Sequence, residues 1–529
     1  MQRKKKQISK TSLLQTLQRS YKIALHSKLS GIPTNELIDE QFQKSRRKFL
    51  SDTGKAALIT TIAGSSFLTS CAGKSAPVIT IVGAGIAGLN AAFTLKRSGY
   101  FAQIYEASPR TGGRMFTAKD IMGAGLTTEL GGEFIDTAHV DIFDLAKKFE
   151  LPIIDTQTES EKKLIHACYY FDGKIITDKD IIEMLTPFVM QMQKDIDSMS
   201  EEITYNNHSE DDARLDKLSI ADYLTGIGIT GTLFNLFNVA YTTEYGSNIS
   251  EQSSINLLYL IAPEMTDEFN YSGYSDERYK IEGGNQRIPD ELAKRMENQI
   301  HVGHSLEAVS TKNGGKKIIL HFIQSNGAAI DVETDYAIIT VPFTILRDVK
   351  WNMELSPVKK KAIDEMGYGK NAKLMIGFQR PLWRDSGYAG FTFSDNGLQN
   401  CWDNSQMQKG DGAGLTVFTG GTPGEELIKG TDKEQAAIYL KRLDAIYPQI
   451  SDFHNQKSAR FHWPTYQYTK ASYTCFKPGQ FTSIEGSQRE PEGNIYFAGE
   501  HCSYEFQGFM NGGAQTGRVA AEQILEKIK

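Results

Sequence analysis

The sequence predicts an α/β protein in which a doubly wound nucleotide-binding domain, assembled from separated segments, is accompanied by a second domain. Three observations predict it. A strand, glycine turn, helix and second strand run without a break from Val78 to Glu106. Another short apolar strand, glycine turn and helix occupy the chain from Asn494 onward. The 529 residues also exceed one average domain, enough for a core that encloses a sizeable ligand.

The N-terminal unit carries the clearest chemistry. Val78 to Val82 is a β-branched run leading into GAGIAG. There Gly83 permits the tight turn, Gly85 lets backbone approach a pyrophosphate, and Gly88 allows a helix to pack closely on the strand, with Ile86 and Ala87 between them. Apolar Ile86, Leu89, Ala92, Phe93 and Leu95 then recur at helical spacing, and Gly99 is placed to end the helix. Its N-terminus offers free amides and the positive end of the helix dipole to phosphate. The strand FAQIYEA closes on Glu106, about 20 residues beyond the glycines, where a carboxylate can accept from both hydroxyls of a ribose. Directly after come Ala107, Arg110, Gly112, Gly113 and Arg114, which bring bidentate donors and bare backbone to a diphosphate.

Composition sets the outer limits. Hydrophobic residues make up 40% and aromatic residues 10%, as in an ordinary folded protein. A formal charge of −6 provides no field suited to phosphate backbones and argues against nucleic acid as a partner. Basic residues nevertheless crowd the first fifty positions, from Arg3 to Lys6 and again at Lys44, Arg46, Arg47 and Lys48. The string SRRKFLS at 45–51, an apolar stretch AALITTIAGSSFL and then LTSC read as a targeting segment too short and too polar to span a bilayer. The string resembles a twin-arginine export signal, and LTSC resembles a lipobox. That resemblance implies cleavage before Cys71, lipidation of Cys71, and a periplasmic or cell-envelope lipoprotein held to the membrane by an acyl anchor. The stretch from Met1 to Lys44 stays unexplained. Cys168, Cys401, Cys475 and Cys502 are widely separated and match no metal cluster or CxxC pair, so buried thiols are expected and no metal site is predicted.

The continuation ASPRTGGRM beyond Glu106 resembles the flavin amine oxidase superfamily, which includes monoamine, polyamine and L-amino acid oxidases. Further resemblance recurs in blocks from about residue 78 to the C-terminal helix. TTELGGEFID at 127–136 looks like the segment passing beside the flavin, with Gly131, Gly132, Glu133 and Phe134. IEGGNQRIPDELA at 281–293 precedes a helix, and strands around Leu306 and Ile338 return the chain to the cofactor domain. NIYFAGEHCSYEFQGFMNGG supplies a second cofactor contact through Gly499, Glu500, Gly508, Phe509 and Met510, with Gly512 and Gly513 ahead of the last helix. The resemblance implies FAD and a Rossmann-like FAD-binding domain interleaved with an α+β substrate domain, as in monoamine oxidases. The expected layout is a leader over 1–70, FAD-binding segments at 71–150, 276–350 and 461–529, a helical insertion over 151–275, and a substrate-domain sheet over 351–460.

The resemblance also implies the reactive residues. GKNAKLMIGFQRPLW at 369–383 alternates as a half-buried strand would, and Lys373 matches a lysine that holds water against the flavin and assists reaction with dioxygen, with Lys370 as its rival. Tyr473 and Phe509 match the two walls of an aromatic cage that aligns an amine nitrogen. The cysteine that bonds covalently to flavin in monoamine oxidases aligns with Ser472, so FAD should be non-covalent, although Cys475 lies nearby. Animal L-amino acid oxidases carry a carboxylate-binding arginine where this chain has Phe134, which turns the reading toward a primary amine or diamine. Glu133 or Glu244 would attract a distal ammonium, while Arg287, Arg347 and Arg384 are the arginines that could serve a carboxylate instead. L-amino acid oxidase, tryptophan monooxygenase-like activity, a carbon–carbon desaturase and a non-catalytic FAD-binding lipoprotein stand as alternatives, and homodimer formation is left open.

Overall fold

The computed structural model describes residues 11–38, 76–261 and 276–529. The twin-arginine string, the apolar stretch and Cys71 lie outside these residues.

The predicted strand–turn–helix units converge on one parallel sheet. Its five strands lie in the order Ile495–Phe497, Tyr336–Ile339, Ile79–Val82, Ala102–Glu106 and Ile300–Val302. Ile81 pairs with Ile338 on one side and Ile104 on the other, so the first strand is central and buried on both faces. Helices Ile86–Arg97 and Met510–Ile528 pack against each other beside it, bringing segments more than 400 residues apart into contact. Asn90 Nδ2 donates to the Ala514 carbonyl at 2.7 Å across that joint. A four-stranded sheet, containing His304–Lys312 and Lys317–Gln324, extends the domain.

The second domain is built on a seven-stranded sheet. Its strands Ala372–Phe378, Ala413–Thr419, Gln399–Asp403 and Tyr388–Ser394 come from the expected substrate segment, but Ile165–Phe171 and Lys174–Ile176 complete it from within the stretch expected to be helical. Helices occupy the rest of that stretch from Asp178 to Ile261. Ala372–Phe378 departs from the expected half-buried strand. All seven residues are buried, because His454–His462 and Ala413–Thr419 pair with its two edges while helices and loops cover both faces. The four cysteines named above are buried, as expected, and form no disulfide among the described residues.

One element has a place that the sequence did not announce. Residues Ser12–Ser30, counted with the leader, form a helix that Gly31 ends in a left-handed conformation. Leu13, Leu14, Leu17, Tyr21 and Ala24 on it are fully or almost fully buried in the core of the helical region. Burial of each of the three leucines stabilises by roughly 1.5–3 kcal/mol. Polar contacts fix its register: Thr16 Oγ1 meets the Tyr169 hydroxyl at 2.7 Å, and the Tyr21 hydroxyl donates to Gln193 Oε1 at 2.9 Å. No helix among the described residues is long and apolar enough to cross a membrane.

Candidate active site

A cavity of about 320 Å³ runs between the two domains. Every residue singled out for cofactor binding lines it except Gly88. Gly88 serves the helix–strand joint instead: a Cβ there would stand 2.0 Å from the Gly83 carbonyl oxygen. Gly83 takes φ +102°, a conformation in which a side chain is strained, and a Cβ would meet Thr340 Oγ1 at 2.5 Å. Gly85 differs from both. A Cβ on it would touch only Gly113 Cα at 3.9 Å and otherwise project into the cavity, so the bare backbone leaves room for a diphosphate at the start of helix Ile86–Arg97.

The charged residues around this cradle are held by specific bonds. Glu106 accepts from the Ala84 amide at 2.6 Å and the Ser108 amide at 2.8 Å, which fixes its carboxylate at the end of the second strand. Burial raises its pKa, while those two amides and Arg110 act in the opposite direction. Arg110 donates to the Thr111 carbonyl at 2.9 Å and to the Gly113 carbonyl, and its Nε is buried with no partner, a donor suited to a ligand oxygen. Arg114 Nη1 donates to Glu500 Oε1 at 2.8 Å and to the Ser472 carbonyl at 2.6 Å. Glu500 also accepts from the Gly508 amide at 2.8 Å, so segments 386 residues apart are tied together beside the cavity. Gly512 and Gly513 fall inside the first turn of the last helix rather than ahead of it. A Cβ on Gly513 would meet Ile86 Cγ2 at 2.9 Å. The glycine backbone, the ribose-type carboxylate and the orphan guanidinium donor together fit FAD.

Lys373, Tyr473 and Phe509, the residues expected to be reactive, all line the cavity. Lys373 Nζ donates to the Glu129 and Gly131 carbonyls, both at 2.9 Å, and to Glu133 Oε2 at 3.0 Å, which engages all three of its donors. Its rival Lys370 instead pairs with Glu425 outside the cavity. Burial lowers the Lys373 pKa against the opposing pull of Glu133. Burial would raise that of Glu133, but Lys280 and Lys373 outweigh it and hold the carboxylate ionised. Glu129, buried beside them, is pushed up to about 7 by desolvation. The Tyr473 hydroxyl donates to the Thr243 carbonyl at 3.2 Å, and the Phe509 ring stands edge-on to His139 at 4.9 Å. Ser472 donates to Asn371 Oδ1 at 2.6 Å, and no cysteine among the described residues lines the cavity.

Several expected substrate contacts are redistributed. Glu133 lines the cavity, but Lys280 at 2.9 Å and Lys373 at 3.0 Å occupy both of its oxygens. Glu244 is buried within helix Gly231–Tyr245 and does not line the cavity, although its neighbour Thr243 does. Arg287 is bound to the Glu282 carbonyl, Arg347 to the carbonyls of Ile363 and Met366, and Arg384 to Glu161, so none of the three reaches the cavity. Sequence inspection missed Asp136, Glu277, Asn400, Trp402 and Phe418 on the wall, as well as Thr11, which enters from the start of the N-terminal helix. Only Asp136 sits in a recognisable motif, as the last residue of TTELGGEFID; the others lie outside any.

Comparison with known proteins agrees with this geometry. The chain is 24% identical over 470 residues to an L-amino acid dehydrogenase of Synechocystis, covering 84% of this chain and 94% of that protein. It is 25% identical over 477 residues to a flavin-containing amine oxidase of Oncorhynchus mykiss, covering 85% and 86%. Cyclohexylamine oxidase from Brevibacterium oxydans shares the fold, with a TM-score of 0.74 at 20% identity over 85% of this chain and 99% of that one. The model of the flavin-containing amine oxidoreductases matches residues 86–525, and the chain belongs to that family.

Proposed function

We propose that this enzyme oxidises the carbon–nitrogen bond of a primary amine or diamine with non-covalently held FAD and dioxygen, yielding an imine that water hydrolyses to a carbonyl compound. The observation that carries the reading is the single cavity joining the dinucleotide cradle to Lys373, Tyr473 and Phe509. Bound FAD would supply the acceptor for the hydride leaving the carbon beside the amine. The chain's own residues do the rest. Tyr473 and Phe509 present ring faces or edges that orient the amine, and the apolar wall around Phe134, Trp402 and Phe418 excludes water. Lys373 places a buried amino group on the cavity wall, where its lowered pKa suits it to exchange a proton during reoxidation. The absence of a cysteine from the described cavity wall supports non-covalent attachment.

Oxidation of an L-amino acid is the second reading, favoured by the similarity to the Synechocystis L-amino acid dehydrogenase. The cavity weighs against it. Among the described residues its basic lining consists of Arg110, Arg114, Lys373 and His304, the arginines beside the cofactor cradle and the lysine fully engaged. The test is direct: the purified protein should show a flavin spectrum and release peroxide with amines. Peroxide formed with amino acids and not with amines would replace the first reading by the second.

For the leader we propose twin-arginine export of a chain already folded around its cofactor, with Cys71 as the acylation site that holds it to the envelope. Ser12–Ser30 lies upstream of that cysteine and packs in the folded core, so cleavage at Cys71 would separate a docked helix from its domain. The intact mass of the envelope protein, with and without Cys71→Ser, reads both lipidation and the fate of that helix. Unaltered membrane partitioning of the serine variant would remove the anchor.

A further inference from the structure

The cavity is lined by one buried glutamate with a carboxyl oxygen that no protein donor meets. Glu277 lines the cavity, is 8% exposed, and its Oε2 has no hydrogen-bond partner. An unsatisfied buried carboxyl oxygen costs roughly 1–3 kcal/mol, a penalty that a ligand donor in the cavity would relieve. The surroundings add negative charge. The Glu277 amide donates to Asp136 Oδ1 at 2.9 Å, which fixes the two acidic residues side by side. His139 lies 3.3 Å from Asp136, yet burial lowers its pKa to about 3 and leaves it neutral. Lys280, the near cation, directs its ammonium to Glu133 at 2.9 Å. Asn400 Oδ1, a second acceptor with no partner, lines the same cavity at 3% exposure.

We propose that Glu277, backed by Asp136, is a subsite for a second cationic nitrogen on the substrate, so that the enzyme selects dibasic amines over monobasic ones of the same length. The inference rests on the reading of the chain as an amine oxidase and deepens it. An ammonium brings the donor that Glu277 Oε2 lacks, and its charge offsets that of the acidic pair. Burial first, and then repulsion by Asp136, Glu244 and Glu133 against the weaker pull of Lys280, hold the Glu277 carboxyl well above the usual carboxylate range. Entry of a cation would therefore release a proton. A substrate carboxylate at the same place would meet repulsion instead.

The experiment compares kcat/KM of the holoenzyme for diaminobutane and diaminopentane with butyl and pentyl monoamines, and for lysine with norleucine. Wild-type enzyme should favour the dibasic member of each turned-over pair. Glu277→Gln, with flavin content and Tm confirming its fold, should lower kcat/KM for that member on the order of 10- to 100-fold while changing the monobasic one far less. Glu277→Asp, which keeps the charge but withdraws it, should shift the optimum to a longer diamine. Equal losses on both substrates, or a wild-type preference for the monobasic compound, would overturn the subsite and leave amine oxidation standing. Should no amine or amino acid be oxidised, the functional reading falls separately. An anaerobic titration of the flavin spectrum with diaminopentane still reads the subsite, and absence of binding there overturns it.

Discussion

Lys373 Nζ donates to Glu133 Oε2 across 3.0 Å, with each side chain 4% exposed, and Glu133 is held on its other oxygen by Lys280. Two cations therefore share one buried carboxylate on the cavity wall. Removing one of them leaves the carboxylate paired, so Lys373→Met avoids the penalty of a bare buried charge. The variant should fold and bind substrate, while reaction of its reduced flavin with dioxygen slows on the order of 100-fold. Stopped-flow mixing of reduced enzyme with dioxygen checks this, and normal reoxidation would remove Lys373 from the mechanism.

Gly88→Ala should abolish flavin retention although residue 88 touches no part of the cavity. Its Cβ would sit 2.0 Å from the Gly83 carbonyl oxygen and 3.1 Å from Ile81 Cγ2, backbone and core that have no free space. Relief requires the helix to lift from the strand, which carries the phosphate-facing amides away; overpacking of this kind costs about 1–3 kcal/mol or more. The flavin-to-protein absorbance ratio after gel filtration reads the outcome.

Leu17→Ala should lower stability by roughly 2–5 kcal/mol, because Leu17 is fully buried in the helical core. The comparison uses the uncleaved chain, where a helix that did not dock would give no effect. Thermal unfolding of the two holoproteins distinguishes these outcomes.

His501 carries the pH prediction. Both of its ring nitrogens are buried without partners, and burial lowers its pKa from 6.5 to about 4. Its folded pKa thus lies below the unfolded one. The stability it permits is complete above pH 6.5 and declines as pH falls toward 4, since the unfolded chain takes up a proton that the folded chain refuses. His501→Phe keeps a ring against Phe343, whose centroid is 4.8 Å away, and removes that proton. Denaturant titrations from pH 7 to 4 should show a pH slope shallower by up to about 1.4 kcal/mol per unit in the variant. An unchanged slope would mean that His501 charges freely in the folded state.

Legibility from sequence followed locality. The cradle was readable because each of its requirements sits within a few residues of the others: Gly83, Gly85 and Gly88 on one turn, Glu106 at the end of the next strand, Arg110 and Arg114 just beyond. Lys373, Tyr473 and Phe509 came from family resemblance alone, and all three line the cavity. The acidic wall escaped notice. Glu277 and Asp136 are 141 positions apart and lie side by side through one backbone amide bond. Asn400 and Trp402 point into the cavity from a strand whose five residues are all buried, so alternation gave no hint of which face met the substrate.

What the sequence alone determined was the nucleotide-binding half. Glycines at tight turns and β-branched runs before them are local steric demands, and local demands are written in consecutive residues. Tertiary structure decided which charges remain available. Glu133, Arg384 and Lys373 could each have been ligand groups by type, and packing gave every one of them a protein partner while leaving Glu277 Oε2 without one. Tertiary structure likewise turned the N-terminal Ser12–Ser30 segment into a core helix. A charge or an apolar face acquires its role from the partner that burial brings to it, and that partner is set by the whole fold.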